Sequence, residues 1–92
     1  MDNTLNNLGI AYKAKKIIFG EDVLLNIKDI KLVVIASDIS NGSKKRIVSK
    51  CEYYGIKYID KYSCDDISNA LGKKNIKTIG IKDEGFAKLL SK

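Results

Sequence analysis

Basic side chains that could contact phosphate stand in short clusters along this chain. One cluster, Lys13, Lys15 and Lys16, comes just before Gly20, and another opens with Lys44 and ends at Arg46. Arg46 is the only arginine, and every other basic residue is lysine. Lysine is a point charge that suits phosphate, whereas the planar fork of arginine suits guanine. The pattern therefore favours recognition of nucleic-acid backbone and shape over recognition of base sequence.

Gly20 stands where a second helix is predicted to begin. The first N–H groups of a helix have no partner within it, so such an end can hold an anion. Glu21 or Asp22 could accept hydrogen bonds from the two donors on the Watson–Crick edge of an unpaired guanine. Acids in a first turn also simply complement the helix dipole, and both interpretations remain open.

The segment Lys44-Lys45-Arg46 is predicted to open a third helix after a polar loop at residues 37–43, which includes Ser40 and Asn41. Cations at this end of a helix oppose its dipole. They therefore serve either phosphate binding or solubility.

A further candidate segment precedes the predicted fourth helix. Tyr62 could stack on a base, beside Lys61, or it could cover the edge of the core. Ser63 with Asp66 predicts a capping box at the start of that helix. The pair Tyr53-Tyr54 is predicted to belong to the core.

Residue types that most enzymes and metal sites require are missing. The chain has no His, so most zinc sites and His-dependent catalysis are excluded. Cys51 and Cys64 lack CxxC spacing, which favours reduced, buried thiols. Ser37-Asp38 follows a strand, where α/β folds can place catalytic groups, but it has no base partner. We expect no enzymatic activity, no metal and no cofactor.

Length and charge bound the class of protein. The 92 residues predict one domain, residues 1–92, and the net charge of +6 predicts an anionic partner, nucleic acid before a membrane surface. No apolar run reaches the length of a membrane span. The first residues are polar rather than basic and then apolar, so we expect a cytoplasmic protein without a signal peptide.

The apolar pattern predicts alternating helices and strands that must position these groups. Leu32 to Ala36 is continuously apolar and β-branched, which is typical of a strand covered on both faces. Further short apolar runs predict three more strands, at residues 17–19, 56–59 and 78–81, with helices between them and at both ends. This alternation predicts an α/β sandwich around a parallel or mixed sheet.

Four segments together resemble a known family. They are LGIAYKAKKIIFGED from Leu8, KLVVIASDIS from Lys31, ALGKK from Ala70 and DEGFAKLL from Asp83. In this order they are similar to the L-seven-Ae/L-thirty-e superfamily of ribosomal proteins, and most similar to its bacterial, ribosome-associated branch. The resemblance implies a three-layer α/β/α sandwich with a mixed four-stranded sheet. It also implies RNA as the partner, often a kink-turn, and places the Tyr62 segment beside Gly20.

The chain departs from the family motif at the start of the second helix. Kink-turn binders of the family carry Gly-x-Asn-Glu-x-x-Lys there, and their Asn and Glu contact guanines. Here Asp22, Val23 and Asn26 occupy the Asn, Glu and Lys positions. We therefore expect weak kink-turn selectivity, and by sequence alone Val23→Glu with Asp22→Asn should raise kink-turn affinity.

We predict a non-enzymatic RNA-binding protein, associated with the ribosome or its assembly and acting as a monomer. Ribosomal proteins are further candidate partners. The alternative is a protein-interaction module that kept the fold and lost specific RNA recognition. The predicted RNA-binding residues are Lys13, Lys15, Lys16, Gly20, Glu21, Asp22, Ser40, Asn41, Lys44, Lys61, Tyr62 and Ser63.

Overall fold

Helices and strands alternate through the whole of residues 4–90, the part of the chain that the computed structural model describes. The helices are α1 (Thr4–Lys13), α2 (Glu21–Leu25), α3 (Asn41–Tyr54), α4 (Cys64–Leu71) and α5 (Glu84–Leu90), with one 3₁₀ turn at Ile27–Asp29. The strands are β1 (Ile17–Phe19), β2 (Leu32–Ala36), β3 (Lys57–Tyr62) and β4 (Thr78–Ile81). None of these helices is long and apolar enough to cross a membrane.

The four strands form one mixed sheet in the order β1-β4-β2-β3. β4 pairs antiparallel with both of its neighbours, while β2 and β3 pair in parallel. Strands β1, β2 and β3 therefore run in the same direction, and β4 runs against them. As a result the carboxyl ends of β1, β2 and β3 meet the start of β4 along one rim of the sheet.

Helices cover both faces of this sheet, which confirms the predicted three-layer α/β/α sandwich. Along β2, Leu32, Val34 and Ala36 pack with α1, α4 and α5. Val33 and Ile35 point the other way and pack with α2 and α3. All five residues of β2 are buried. The run is continuously apolar because helices cover the strand on both faces, as the sequence predicted.

Three local predictions need correction. Helix α3 begins at Asn41 rather than at Lys44, because the Ser40 hydroxyl caps it by accepting a hydrogen bond from the Ser43 N–H. Strand β3 extends to Tyr62, where a loop was expected. Tyr53 is 82% exposed rather than buried. It lies two residues past the buried Cys51, which is about 200° around the helix at roughly 100° per residue.

The predicted start of α4 is confirmed. Ser63 accepts a hydrogen bond from the Asp66 N–H, and the Asp66 carboxylate accepts one from the Ser63 N–H. This capping box satisfies N–H groups at both positions and fixes where the chain turns from β3 into α4.

We expect two helical glycines to respond oppositely to alanine. A Cβ on Gly9 of α1 would lie 2.9 Å from the Ala70 carbonyl oxygen of α4. Because that neighbour is backbone, Gly9→Ala should destabilise the protein by about 1–3 kcal/mol. A Cβ on Gly42 of α3 would meet nothing within 4 Å, so Gly42→Ala should stabilise by about 0.4–1 kcal/mol. Urea unfolding of both variants tests the expectation, and equal effects would contradict the close α1–α4 approach.

Candidate nucleic-acid interface

The carboxyl ends of three parallel strands bring distant parts of the sequence together along one rim of the sheet. We call this rim the β-carboxyl rim; it comprises Gly20 after β1, residues 37–40 after β2, Ser63 after β3 and Lys77 before β4. Three backbone hydrogen bonds hold it: Gly20 N–H donates to the Thr78 carbonyl at 3.0 Å, Ala36 N–H to the Lys77 carbonyl at 2.8 Å, and Ser37 N–H to the Tyr62 carbonyl at 2.8 Å. In open α/β sheets, ligands bind beyond the carboxyl ends of strands.

A cleft of about 240 Å³ opens at this rim. Leu24, Ile39 and Ile47 line its apolar part. Its polar lining combines a glycine, three hydroxyl groups and two cations: Gly20, Ser40, Ser43, Thr78, Arg46 and Lys77. Arg46 and Lys77 are both exposed, so their charges face solvent beside the apolar surface. Such a cleft can hold a flat apolar group that carries an anion.

The backbone at Gly20 adopts a conformation that favours glycine. Its φ of 57° and ψ of −132° are strained for residues with a Cβ. A Cβ there would meet no atom within 4 Å, so the backbone angles and not space explain the glycine. Helix α2 has only five residues. Few peptide dipoles are aligned in it, and the attraction for an anion expected at this end is correspondingly small.

Four other predicted residues stand on or beside the β-carboxyl rim, and the side chains of three of them are already engaged. The Ser40 hydroxyl donates to Ser43 Oγ at 3.0 Å besides capping α3. Asn41 is the exposed first residue of that helix. Lys44 Nζ lies 2.6 Å from Asp60 Oδ2, so this ammonium already has a carboxylate partner. The Ser63 side chain is used in the capping box of α4.

Base stacking by Tyr62 is not supported by its position. The side chain is only 9% exposed and packs in the core between the sheet and α1, α4 and α5. Of the two roles that the sequence left open, the structure favours covering the core. Lys61 is exposed, and its Nζ lies 5.4 Å from the centroid of the Tyr62 ring.

The sequence had suggested that the lysines before β1 lie beside Gly20. The structure places them away from it. Lys15 and Lys16 precede β1, whereas Gly20 follows it, and three strand residues span about 10 Å. The Lys16 carbonyl accepts a hydrogen bond from the Lys82 N–H at 2.9 Å, beyond the far end of β4. Lys13 lines a separate groove between α1 and α4. The opposite rim, here the β-amino rim, therefore gathers its own lysines: Lys15, Lys16, Lys31, Lys57 and Lys82.

Comparison with known proteins now decides the family. The sequence profile of the "Ribosomal protein L7Ae/L30e/S12e/Gadd45 family" matches residues 2–91. The chain belongs to this family. It is 36% identical over 90 residues to the RNA-binding protein YlxQ of Bacillus subtilis, covering 91% of this chain and 88% of that protein. It is 38% identical over 89 residues to the YlxQ of Enterococcus faecium, covering 91% and 84%.

Two solved structures share the fold of this chain. A protein of unknown function from Bacillus halodurans has a TM-score of 0.91 at 29% identity, with 99% of this chain and 95% of that chain covered. The Giardia lamblia 15.5kD RNA binding protein has a TM-score of 0.76 at 18% identity, with 95% and 78% covered, and shares the fold. The family predicted from the four sequence segments is thus confirmed.

The structure shows where the residues that depart from the L7Ae/L30e family motif lie in α2. Val23, at the family's Glu position, is fully buried with the α3 side of the core. Asn26, at the Lys position, donates from Nδ2 to the Asp22 carbonyl at 2.9 Å and closes the short helix. Asp22 is exposed on the surface. The Glu21 side chain lies outside what the structure describes.

Sequence inspection missed Lys77 and gave too little weight to Arg46. Lys77 directly precedes β4, and Gly20 directly follows β1. Antiparallel pairing of β1 with β4 then places the two residues at the same rim. That pairing could not be inferred from the sequence, because nothing in it fixes the strand order.

The two cysteines show no sign of catalytic or metal chemistry. Cys51 is fully buried, and burial, with a smaller effect of the Glu52 charge, raises the pKa of its thiol to about 11. A thiol with a raised pKa carries little thiolate at neutral pH and is a poor nucleophile. Cys64 is half-buried, 3.9 Å from the Ser68 hydroxyl. Among residues 4–90, no three His, Cys, Asp or Glu side chains stand where they could hold a metal ion.

Proposed function

We propose that this protein is a non-enzymatic RNA-binding protein that holds a structured RNA at the β-carboxyl rim. The observation that carries the proposal is the cleft itself, where Arg46 and Lys77 flank an apolar surface beside Gly20. The family's kink-turn motif begins at the same glycine. The names of the Bacillus and Enterococcus relatives, both RNA-binding proteins, support the same partner.

The contact is expected to read RNA by shape and phosphate position. Lys77 supplies a point charge for phosphate, and the Ser43 hydroxyl, which accepts from Ser40 Oγ, keeps its own proton to donate at the cleft. The apolar part of the cleft would take an unpaired base, as RNA recognition favours bases that have left the stack. Asn41, Lys44, Lys61 and Ser63 surround this contact as secondary candidates.

Selectivity for a kink-turn is expected to be weak. The family's guanine-reading Glu is replaced by the buried Val23, and its Lys by Asn26, whose side chain bonds the α2 backbone. The partner would then be a structured RNA of wider range, such as ribosomal RNA during assembly or translation. We place the protein in the cytoplasm as a monomer, with ribosomal proteins as neighbours on the same RNA.

Binding should weaken steeply with salt. Neutralising about three to five phosphates gives a slope of roughly −2 to −4 in a plot of log affinity against log salt. Fluorescence anisotropy with a kink-turn RNA and a plain duplex, titrated over a range of KCl, measures this slope for both. Heparin serves as the control for attraction to any polyanion.

A protein-interaction module is the second candidate, and the inward-facing Val23 is the observation that favours it. A flat salt titration, or no RNA binding at low salt, would overturn the RNA proposal and leave this candidate.

A further inference from the structure

An exposed pair of aromatic rings on α3 lies outside the β-carboxyl rim. Tyr53 is 82% exposed and Tyr54 is 37% exposed. Their ring centroids are 4.9 Å apart with an interplanar angle of 78°, a T-shaped arrangement in which the edge of one ring meets the face of the other. The contact restrains Tyr53 and leaves most of its surface open to solvent. Exposed aromatic faces of this kind are the groups on which unpaired bases stack.

Basic residues share the same helix face. Arg46, Lys50, Tyr53 and Tyr54 follow each other at i, i+4, i+7 and i+8, which places them on one stripe of α3. We call this set the α3 stripe. Together with Ser49 it lines an open surface depression of about 620 Å³. Glu52 is the only acid of the helix and is not among the residues that line this depression.

The α3 stripe is continuous with the β-carboxyl rim. Arg46 lines both the 240 Å³ cleft at the rim and the open depression beside Tyr53. From Arg46 to Tyr53 the helix rises about 10 Å at 1.5 Å per residue. At the 3.4 Å axial spacing of one strand in a stacked duplex this distance is about three nucleotides, and an unstacked strand covers it in fewer. A strand that leaves the cleft can therefore follow Arg46 and Lys50 to Tyr53.

We propose that the α3 stripe binds a single-stranded RNA segment that flanks the structured element, with a base stacked on Tyr53. The inference rests on the proposed function, because the segment is the continuation of the RNA at the rim. Arg46 and Lys50 contact its phosphates. RNA is favoured over a protein because the stripe places two cations beside two exposed rings and continues from the cleft at the rim, the combination that single-strand binders use for phosphates and bases.

Tyr53→Trp offers a direct reporter, since the chain contains no tryptophan. Stacking on a base quenches indole fluorescence. We expect quenching by a kink-turn RNA that carries a single-stranded oligouridine extension and none by the same RNA with blunt ends. Leu89→Trp is the matched control, because Leu89 is also exposed but lies on α5, on the other face of the sheet.

Affinity measurements complete the test. Tyr53→Ala should weaken binding of the extended RNA by roughly five- to a hundredfold, leave the blunt RNA unchanged, and be rescued by Tyr53→Phe. Lys50→Ala should weaken the extended RNA, while the control Lys57→Ala, on the β-amino rim, should not discriminate between the two RNAs.

The outcomes separate this inference from the proposed function. If the blunt RNA does not bind the wild type, the proposal for the β-carboxyl rim fails. Free oligouridine then tests the α3 stripe alone: quenching of Tyr53→Trp fluorescence supports the stripe as a single-strand contact, and no quenching overturns it. If Tyr53→Ala affects both RNAs equally or neither, the stripe is not a single-strand contact. If instead sedimentation shows that Tyr53→Ala abolishes self-association of the wild type, the stripe is an interface between two copies of the chain.

Discussion

Val23→Glu is expected to unfold much of the protein instead of restoring kink-turn recognition. The Val23 side chain is fully buried in the cluster that joins α2 and α3 to the sheet. The buried side chains that pack with it are those of Val, Ile and Cys residues, so a carboxylate placed there would enter an apolar environment. Burying it unpaired costs about 3 kcal/mol or more, a large part of the roughly 5–15 kcal/mol that stabilises a domain.

Circular dichroism during urea unfolding measures this loss. Val23→Ala is the size control and should cost less, about 1–2.5 kcal/mol, because it leaves a cavity without a charge. Asp22→Asn is the surface control and should stay within about 0.5 kcal/mol of the wild type. If Val23→Glu is folded, as stable as the wild type and binds a kink-turn more tightly, then residue 23 faces the RNA and the burial described above is wrong.

A pH titration of the same variant provides an independent check. Burial raises the pKa of a carboxyl group, because the neutral form is the one that tolerates an apolar site. The folded variant would then hold a proton that the unfolded chain releases above its ordinary pKa of about 4.3. The destabilisation by Val23→Glu should therefore shrink as the pH falls toward 4 and grow toward neutrality. A pH-independent difference from the wild type would indicate an exposed carboxylate.

Sequence comparison alone led to the expectation that Val23→Glu, with Asp22→Asn, would raise kink-turn affinity. It could not show that the side chain of residue 23 is buried. The fold was predictable because its signals are local: the apolar run of β2, the capping box at Ser63 and the glycine after β1. The mixed four-stranded sheet was implied by the family resemblance, which the match over residues 2–91 confirms. Which way a side chain in α2 faces depends on the angle at which a one-turn helix meets the sheet. Its five residues are too few to define an apolar stripe.

The binding surface was harder to predict than the fold for a related reason. Residues that are close in sequence need not be close in space when a strand lies between them. Lys15 and Lys16 are four or five residues from Gly20, yet β1 carries the chain from one rim to the other between them. Lys77 is far from Gly20 in sequence but follows from the antiparallel pairing of β1 with β4. Strand order, which no local pattern encodes, decides the site.

The largest effect on RNA binding is expected from the double substitution Arg46→Ala with Lys77→Ala. Both cations flank the cleft at the β-carboxyl rim. Hydrogen bonds to charged groups contribute about 1.5–3 kcal/mol each, so losing two should lower affinity by about a hundredfold or more. The slope of log affinity against log salt should become shallower by about two, one for each lost phosphate contact. Anisotropy with structured RNA measures both quantities.

The matched control is Lys57→Ala with Lys82→Ala, which removes the same two charges from the β-amino rim. Lys57 begins β3, and Lys82 follows β4, so both lie a strand's length from the cleft. Long-range attraction falls equally in the two double variants because the net charge is the same, and only direct contacts can separate them. We expect the control to lose severalfold in affinity and to keep nearly the wild-type slope.

The variant Lys15→Ala with Lys16→Ala decides between the two rims. Contact at the β-carboxyl rim predicts that it behaves like the control, since Lys16 hydrogen-bonds through its backbone to Lys82 on the β-amino rim. If Lys15 and Lys16, or Lys57 and Lys82, prove more important than Arg46 and Lys77, the RNA lies on the β-amino rim. The cleft beside Gly20 would then be free for another partner, and the α3 stripe, which meets the cleft at Arg46, would lose its link to the RNA.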